Sequence, residues 1–175
     1  MTIEKLHSEP VTGVIIVDHG SRRTESNAML HQAAERFAAD SPYPIVEPAH
    51  MELAEPSIAT AFGRCVERGA KRIVVFPYFL SPGRHWTEDI PTLVAGAAKS
   101  HSNIEWLITA PFGLHPGMNA IITDRINRCL RNASGMQQHE SAPGCDVCND
   151  GAYCRYSSSS NGLSGADSYS LPNQP

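Results

Sequence analysis

The sequence predicts an α/β domain built on a parallel four-stranded sheet with helices on both faces. Three observations lead to it. Strand-like and helix-like stretches alternate along the chain up to residue 131. The strand-like stretches are unbroken apolar runs, clearest in Thr12–Val17 and in the IVVF of Lys71–Phe76, a pattern that suits strands covered on both faces rather than on one. The helix-like stretches carry apolar residues at i, i+3, i+4 and i+7, the spacing of one helical face. Successive βα units of this kind build a parallel sheet whose crossovers are right-handed.

The first strand, Thr12–Val17, ends in DHGSRR, where Gly20 permits a tight turn. A helix is expected from about Thr24, with Leu30, Ala33, Ala34 and Phe37 on its buried face. The second strand, near Ile45–His50, has the weakest pattern of the set. The second helix is expected to open at Pro56, a residue favoured at the first helical position. It turns Ile58, Ala61, Phe62 and Cys65 inward and stops at Gly69. After the third strand, Lys71–Phe76, comes the loop FLSPGRHW. A helix then runs from about Glu88 to Lys99 with Ile90, Leu93, Val94 and Ala97 inward, and Pro91 falls in its first turn, where a missing N–H is harmless. The fourth strand is Ile104–Thr109. The last helix, from about Pro116, carries Met118, Ile121, Ile122 and Ile126.

Composition narrows the function classes. The 175 residues are 41% apolar, enough for one domain with an ordinary core. A net charge of −4 argues against bulk binding to nucleic acid, which needs a basic face. No apolar run approaches the roughly 18 residues of a membrane span, and the start, MTIEKLHSEP, has no apolar secretory core. The chain therefore reads as a cytoplasmic protein, or as the mature form of a protein of an organelle stroma. Of its five cysteines, Cys65 and Cys129 fall in helix-like stretches and look like small buried hydrophobes.

A parallel sheet has one consequence that sequence order hides. The carboxyl ends of all its strands lie at one edge, and ligands bind there. The residues just past strands one, two and three are therefore neighbours: His19, then His50 and Glu52, then His85. A single loop histidine is as often only a surface residue. Two at equivalent strand ends favour chemistry, since imidazole binds borderline metals such as Fe²⁺, Co²⁺ or Zn²⁺ and exchanges protons near neutral pH. Glu52 is either a proton acceptor or a solvated carboxylate at a helix entry. Glu55, directly before Pro56, suits a helix start, where negative charge is favourable, and His50 next to Met51 suits packing. Arg22, Arg23 and Arg84 would hold the carboxylates of an acidic ligand, although loop arginines are usually only solvated. Tyr78, Phe79, Leu80 and Trp86 could line a flat apolar slot, with Phe79 equally at home in a core. The dipeptide HG after a strand also occurs in histidine phosphatases, but there an arginine precedes it. Here Asp18 precedes it, and a carboxylate would repel phosphate.

VIIVDHGSR, MELAEPSI and VVFPYFLSPGRHWTEDIP together resemble the short-type sirohydrochlorin chelatases of the CbiX/SirB family, the small class II chelatases. The resemblance spans residues ~11 to ~130. It implies a chelatase domain over residues 11–131, flavodoxin-like in half, that works as a homodimer and inserts Fe²⁺ or Co²⁺ into sirohydrochlorin. The products would serve siroheme or cobalamin biosynthesis. By this likeness His19 and His85 are the catalytic, metal-guiding histidines and Glu52 assists them. Asp18 and the Arg84–His85 pair depart from the family's usual small or apolar neighbours without removing a functional residue. The competing function is a carrier that binds the metal or the tetrapyrrole without turnover.

Residues 132–175 hold no Ile, Phe or Trp and include the run Ser157–Ser160. They are expected to be a flexible, disordered tail, because such a segment buries too little to offset its ordering entropy. Within the tail, Cys145, Cys148 and Cys154 form a C-x2-C-x5-C motif. A disulfide suits a reducing cytoplasm poorly. Zinc and iron–sulfur clusters both usually take four protein ligands, and unligated thiols remain open. Similar tails on plant and some bacterial sirohydrochlorin ferrochelatases carry a cluster. That likeness implies a [2Fe–2S] or other iron–sulfur cluster, its fourth ligand coming from a second subunit or from a non-cysteine group; since metal insertion transfers no electrons, such a cluster would be regulatory or iron-sensing rather than catalytic.

Overall fold

The structure, a computed structural model, describes residues 9–133, with side chains to residue 131. The expectations for the tail, Cys145, Cys148 and Cys154 among them, lie outside the described residues. The chain divides into one unit through His115 and another from Pro116.

In the first unit a four-stranded sheet runs in the order β2-β1-β3-β4, where β1 is Thr12–Asp18, β2 Ile45–His50, β3 Arg72–Pro77 and β4 Glu105–Ile108. Every pairing is parallel. The most apolar strand lies inside the sheet because both of its faces are covered. Val14 and Ile16 of β1 pack with Leu30 and Ala34 of α1, Thr24–Asp40, in one cluster. Ile15 and Val17, on the opposite face, join Ile58, Ala61, Phe62 and Cys65 of α2, Ile58–Glu67, and Ile90 and Val94 of α3, Ile90–Ala98. Apolar residues at consecutive positions thus serve two cores, which is why the run shows no alternation.

Three helix boundaries and faces differ from expectation. The second helix begins at Ile58, not at Pro56. The Pro56 carbonyl is taken by the His50 N–H at 2.7 Å, and the Ser57 hydroxyl accepts the Thr60 N–H and caps the helix. Glu55 supplies the negative charge there, its carboxylate accepting the Ser57 N–H at 2.7 Å. The third helical stretch begins at His85, earlier than Glu88, as a π-turn over His85–Asp89 that runs into α3. Leu93, expected inside, is 39% exposed, because α3 buries only the stripe carrying Ile90 and Val94. Gly69 does end α2, taking φ +94 and donating to the Val66 carbonyl. Phe37 reaches past the core and stacks on Tyr43 with ring centroids 6.1 Å apart.

The second unit holds α4, Gly117–Ala133, with an Asp124–Arg128 pair at 3.7 Å one turn apart. Cys129 on α4 is exposed and Cys65 on α2 is buried. Helical spacing shows which residues share a turn and not which face is covered, and for Cys129 the expectation of burial fails. Among the described residues no helix is long and apolar enough to cross a membrane.

Candidate active site

The site lies at the carboxyl edge of the sheet, where β1, β2 and β3 end. In the sheet register Asp18 stands opposite His50, and Val17 opposite Pro77. The backbone continues this pairing past the strands. Met51 N–H donates to the Asp18 carbonyl at 2.8 Å, Glu52 N–H to the His19 carbonyl at 3.2 Å, and Tyr78 N–H to the Val17 carbonyl at 2.7 Å. These three bonds hold the segments bearing His19, Glu52 and Tyr78 side by side.

His19 and His85 meet edge to face, with ring centroids 5.2 Å apart and planes inclined by 61°. Glu52 Oε2 is 3.7 Å from His19 Nε2. The side chains of His19 and His85 are 40% and 47% exposed, so the pair is open to a ligand from outside. Each imidazole has support. His85 Nδ1 is 2.8 Å from Asp89 Oδ2, and Phe79 stacks on its ring with centroids 6.3 Å apart. His19 Nδ1 is 3.3 Å from the Gly20 carbonyl. Its backbone is set by the turn at Gly20, φ +81, whose N–H donates to Asp18 Oδ1 at 2.8 Å. Asp18 Oδ1 also meets Nδ1 of the fully buried His50 at 2.6 Å. His50 Nε2 is buried without a hydrogen-bond partner among the described residues, and the rings of His31 and His50 lie with centroids 5.7 Å apart. His50 is thus a packed residue beneath the site.

The other residues named from the sequence surround this centre in different ways. Arg22 and Arg23, three and four residues after His19, are exposed; Arg23 occupies the position before α1 without capping it by its side chain. Arg84 Nε donates to Glu88 at 3.1 Å, and its side chain is 78% exposed. Tyr78 is exposed with its ring edge against Phe112, and Leu80 is exposed. Trp86 is half-buried and its indole N–H donates to the Thr109 carbonyl at 2.8 Å. That bond ties the loop after β3 to the end of β4. Phe79 packs partly against the core and partly on His85. Among the described residues no three His, Cys, Asp or Glu side chains close tightly enough to hold a metal ion by themselves. Two contacts went unread in the sequence. Asp89 lies four residues after His85, a spacing visible in HWTED. The Asp18–His50 pair needed the strand register.

Comparison with known proteins agrees with this architecture. The CbiX family profile matches residues 13–129. A chloroplastic sirohydrochlorin ferrochelatase of Arabidopsis thaliana is 54% identical over 148 residues, covering 85% of this chain and 64% of the relative. A sirohydrochlorin cobaltochelatase of Methanocaldococcus jannaschii is 42% identical over 88 residues, covering 50% of this chain and 62% of the relative. The chain thus spans somewhat under two thirds of the length of these relatives. The crystal structure of the sirohydrochlorin chelatase SirB from Bacillus subtilis subspecies spizizenii, in complex with cobalt, superposes with a TM-score of 0.63 at 30% identity. That match covers 67% of this chain and 50% of the SirB chain.

Proposed function

The chain belongs to the CbiX family, and from that premise we propose that it is a sirohydrochlorin chelatase, a lyase that inserts Fe²⁺ or Co²⁺ into sirohydrochlorin. The observation that carries the reading is the pair of imidazoles, His19 and His85, facing each other 5.2 Å apart at the ligand-binding edge of the sheet. Both metals come from the relatives' names, one a ferrochelatase and the other a cobaltochelatase.

The chemistry asks for two services. A divalent cation enters the macrocycle, and two pyrrole N–H protons leave it, so charge balances without electron transfer. Neutral imidazoles provide both, since each nitrogen lone pair takes either a metal or a proton. His19 and His85 receive the pyrrole protons and guide the metal. Glu52, 3.7 Å from His19 Nε2, passes a proton from His19 to solvent. Two nitrogens suit a borderline metal, and because they and Glu52 do not close into a three-ligand site, the metal is handed on rather than kept. Arg22, Arg23 and Arg84 bind the acetate and propionate arms through charge-assisted bonds. Arg84 first exchanges Glu88 for the substrate, at little cost, because an exposed pair of this kind is worth about 0–1 kcal/mol. Tyr78 and Trp86 border the macrocycle.

Three finer readings go with this one. The chain works as a homodimer, an inference supported by its matching half of the SirB chain and by the exposure of His19 and Glu52 at the edge of the sheet. Sedimentation of the purified protein tests it. Cys145, Cys148 and Cys154 hold an iron–sulfur cluster that regulates the enzyme, since chelation itself moves no electrons. Iron and sulfide assays after anaerobic purification test that. The chain acts in an organelle stroma, as the name of the Arabidopsis relative suggests, and imaging of a tagged full-length protein tests it.

The decisive experiment mixes purified protein anaerobically with sirohydrochlorin and Fe²⁺ or Co²⁺ and follows the absorption spectrum. Many product equivalents per protein are expected. A single equivalent would identify a carrier. His19→Ala and His85→Ala should each lower the rate about 10²- to 10⁴-fold, the range for a lost acid–base group, with the fold intact because both side chains are half exposed. Wild-type rates in both variants would end the mechanism.

A further inference from the structure

Asp89 occupies the position before α3, where an aspartate ordinarily caps a helix. Its side chain makes no capping bond. Two features explain that. The residue is itself helical, at φ −73 and ψ −52, because the chain enters α3 directly from the π-turn. The second residue of α3 is Pro91, which has no N–H to offer a cap. The carboxylate turns back instead and meets His85 Nδ1 at 2.8 Å.

We propose that Asp89 is the positioning residue of the site: it holds His85 as the tautomer protonated on Nδ1, leaving Nε2 as the free lone pair. An ionised carboxylate only accepts hydrogen bonds, so the imidazole nitrogen facing it must carry the hydrogen. A neutral imidazole then has one remaining lone pair, on Nε2. This is how outer carboxylates commonly fix the ring and tautomer of a histidine that meets a metal. The π-turn is part of the device. Its wider hydrogen bond, from Ile90 N–H to the His85 carbonyl, begins the helix at His85 itself, so His85 and Asp89 share one rigid segment and lie on one face. Such turns are frequent at functional sites. Phe79, stacked on the imidazole, limits the remaining freedom of the ring. Among the described residues, His19 Nδ1 meets the Gly20 carbonyl at 3.3 Å and no carboxylate. The two histidines are therefore unequal: the orientation of His85 is fixed by a side chain, and that of His19 by the backbone turn.

The inference rests on the chelatase reading for its consequence but not for its test. The ring nitrogens of His85 are observed by ¹⁵N–¹H correlation NMR in wild type, Asp89→Ala and Asp89→Asn, without substrate and at a pH where His85 is neutral. Wild type should show His85 protonated on Nδ1. Asp89→Ala should shift it towards Nε2 protonation, and Asp89→Asn, whose amide oxygen still accepts, should largely restore the wild-type signature. Chelation by Asp89→Ala should fall about 10- to 100-fold, in kcat more than in KM for sirohydrochlorin. Asp89→Asn should fall less, and the melting temperature should stay near that of wild type. An unchanged His85 tautomer in Asp89→Ala overturns the proposal. If Asp89→Ala fails to fold, wild type and Asp89→Asn decide: an Nε2-protonated His85 in wild type, or loss of Nδ1 protonation in Asp89→Asn, overturns it equally. Absence of turnover in wild type with the tautomer as expected would count against the chelatase reading and leave the positioning role intact.

Discussion

Replacing Gly20 with alanine tests the geometry that presents His19. Gly20 has φ +81, a left-handed conformation that costs an L-residue about 1–2 kcal/mol. The added Cβ would lie 3.1 Å from the His50 Cβ and 3.4 Å from the backbone nitrogens of Leu53 and Ala54. His50 cannot move aside cheaply, because it is fully buried and bonded to Asp18 at 2.6 Å. Overpacking of this kind costs about 1–3 kcal/mol. Alanine lowers the entropy of the unfolded chain and returns roughly 0.4–1 kcal/mol. The net loss is roughly 1–5 kcal/mol. A domain of this size loses about 4 °C of melting temperature per kcal/mol, so a fall of roughly 4–20 °C is expected. Urea titration of wild type and Gly20→Ala measures the loss, and an unchanged m-value would confirm that only stability moved. The chelation rate of the folded variant should fall as well, since the turn carrying His19 must shift to admit the methyl group. A midpoint equal to that of wild type would refute the left-handed turn packed on His50, and with it the account of how His19 is aimed.

Further outcomes follow from the same geometry. Asp18→Ala removes the acceptor of two groups, the buried His50 Nδ1 and the Gly20 N–H. Each unsatisfied group costs about 1–3 kcal/mol, whereas Asp18→Asn, which keeps an acceptor, should lose less. Equal melting temperatures for wild type and Asp18→Ala would show that the pair contributes nothing. Burial pushes the Cys65 thiol up to about 12 from 9.0, with Glu47 adding to the rise and Arg68 opposing it. Between pH 9 and 12 the unfolded chain gives up this proton before the folded one does, so stability should fall as pH rises through that window. Cys65→Ala should flatten that part of the pH profile, and an identical slope in the variant would remove the thiol as its cause. At pH 8, alkylation followed by peptide mapping should mark the exposed Cys129 promptly and Cys65 only on unfolding; equal labelling of both would contradict the burial.

Much of the fold was legible. The face of α2 read from spacing, Ile58, Ala61, Phe62 and Cys65, is the face buried against the sheet. That helix has a sharp apolar stripe and a full set of neighbours. The faces of α1 and α3 were less well read, since Phe37 and Leu93 sit at the margin of cover and are each 39% exposed. Periodicity assigns a residue to a side of its helix but not to the part of that side that meets the sheet. The helix starts were missed where another group competed. The Pro56 carbonyl was already taken by the His50 N–H, and a π-turn reached back to His85 ahead of α3.

By itself the sequence determined that apolar runs and helical stripes alternate, and therefore that the strands run parallel and the segments after them gather at one edge. That was enough to bring His19, Glu52 and His85 to one place, because parallel strands can end nowhere else. Only the tertiary structure decided which nitrogen and which oxygen face each other. The order β2-β1-β3-β4 sets Asp18 beside His50, and the π-turn sets Asp89 against His85. Both contacts are matters of ångströms, governed by strand register and by the pitch of one helical turn, and a linear pattern of residue types carries no information at that scale.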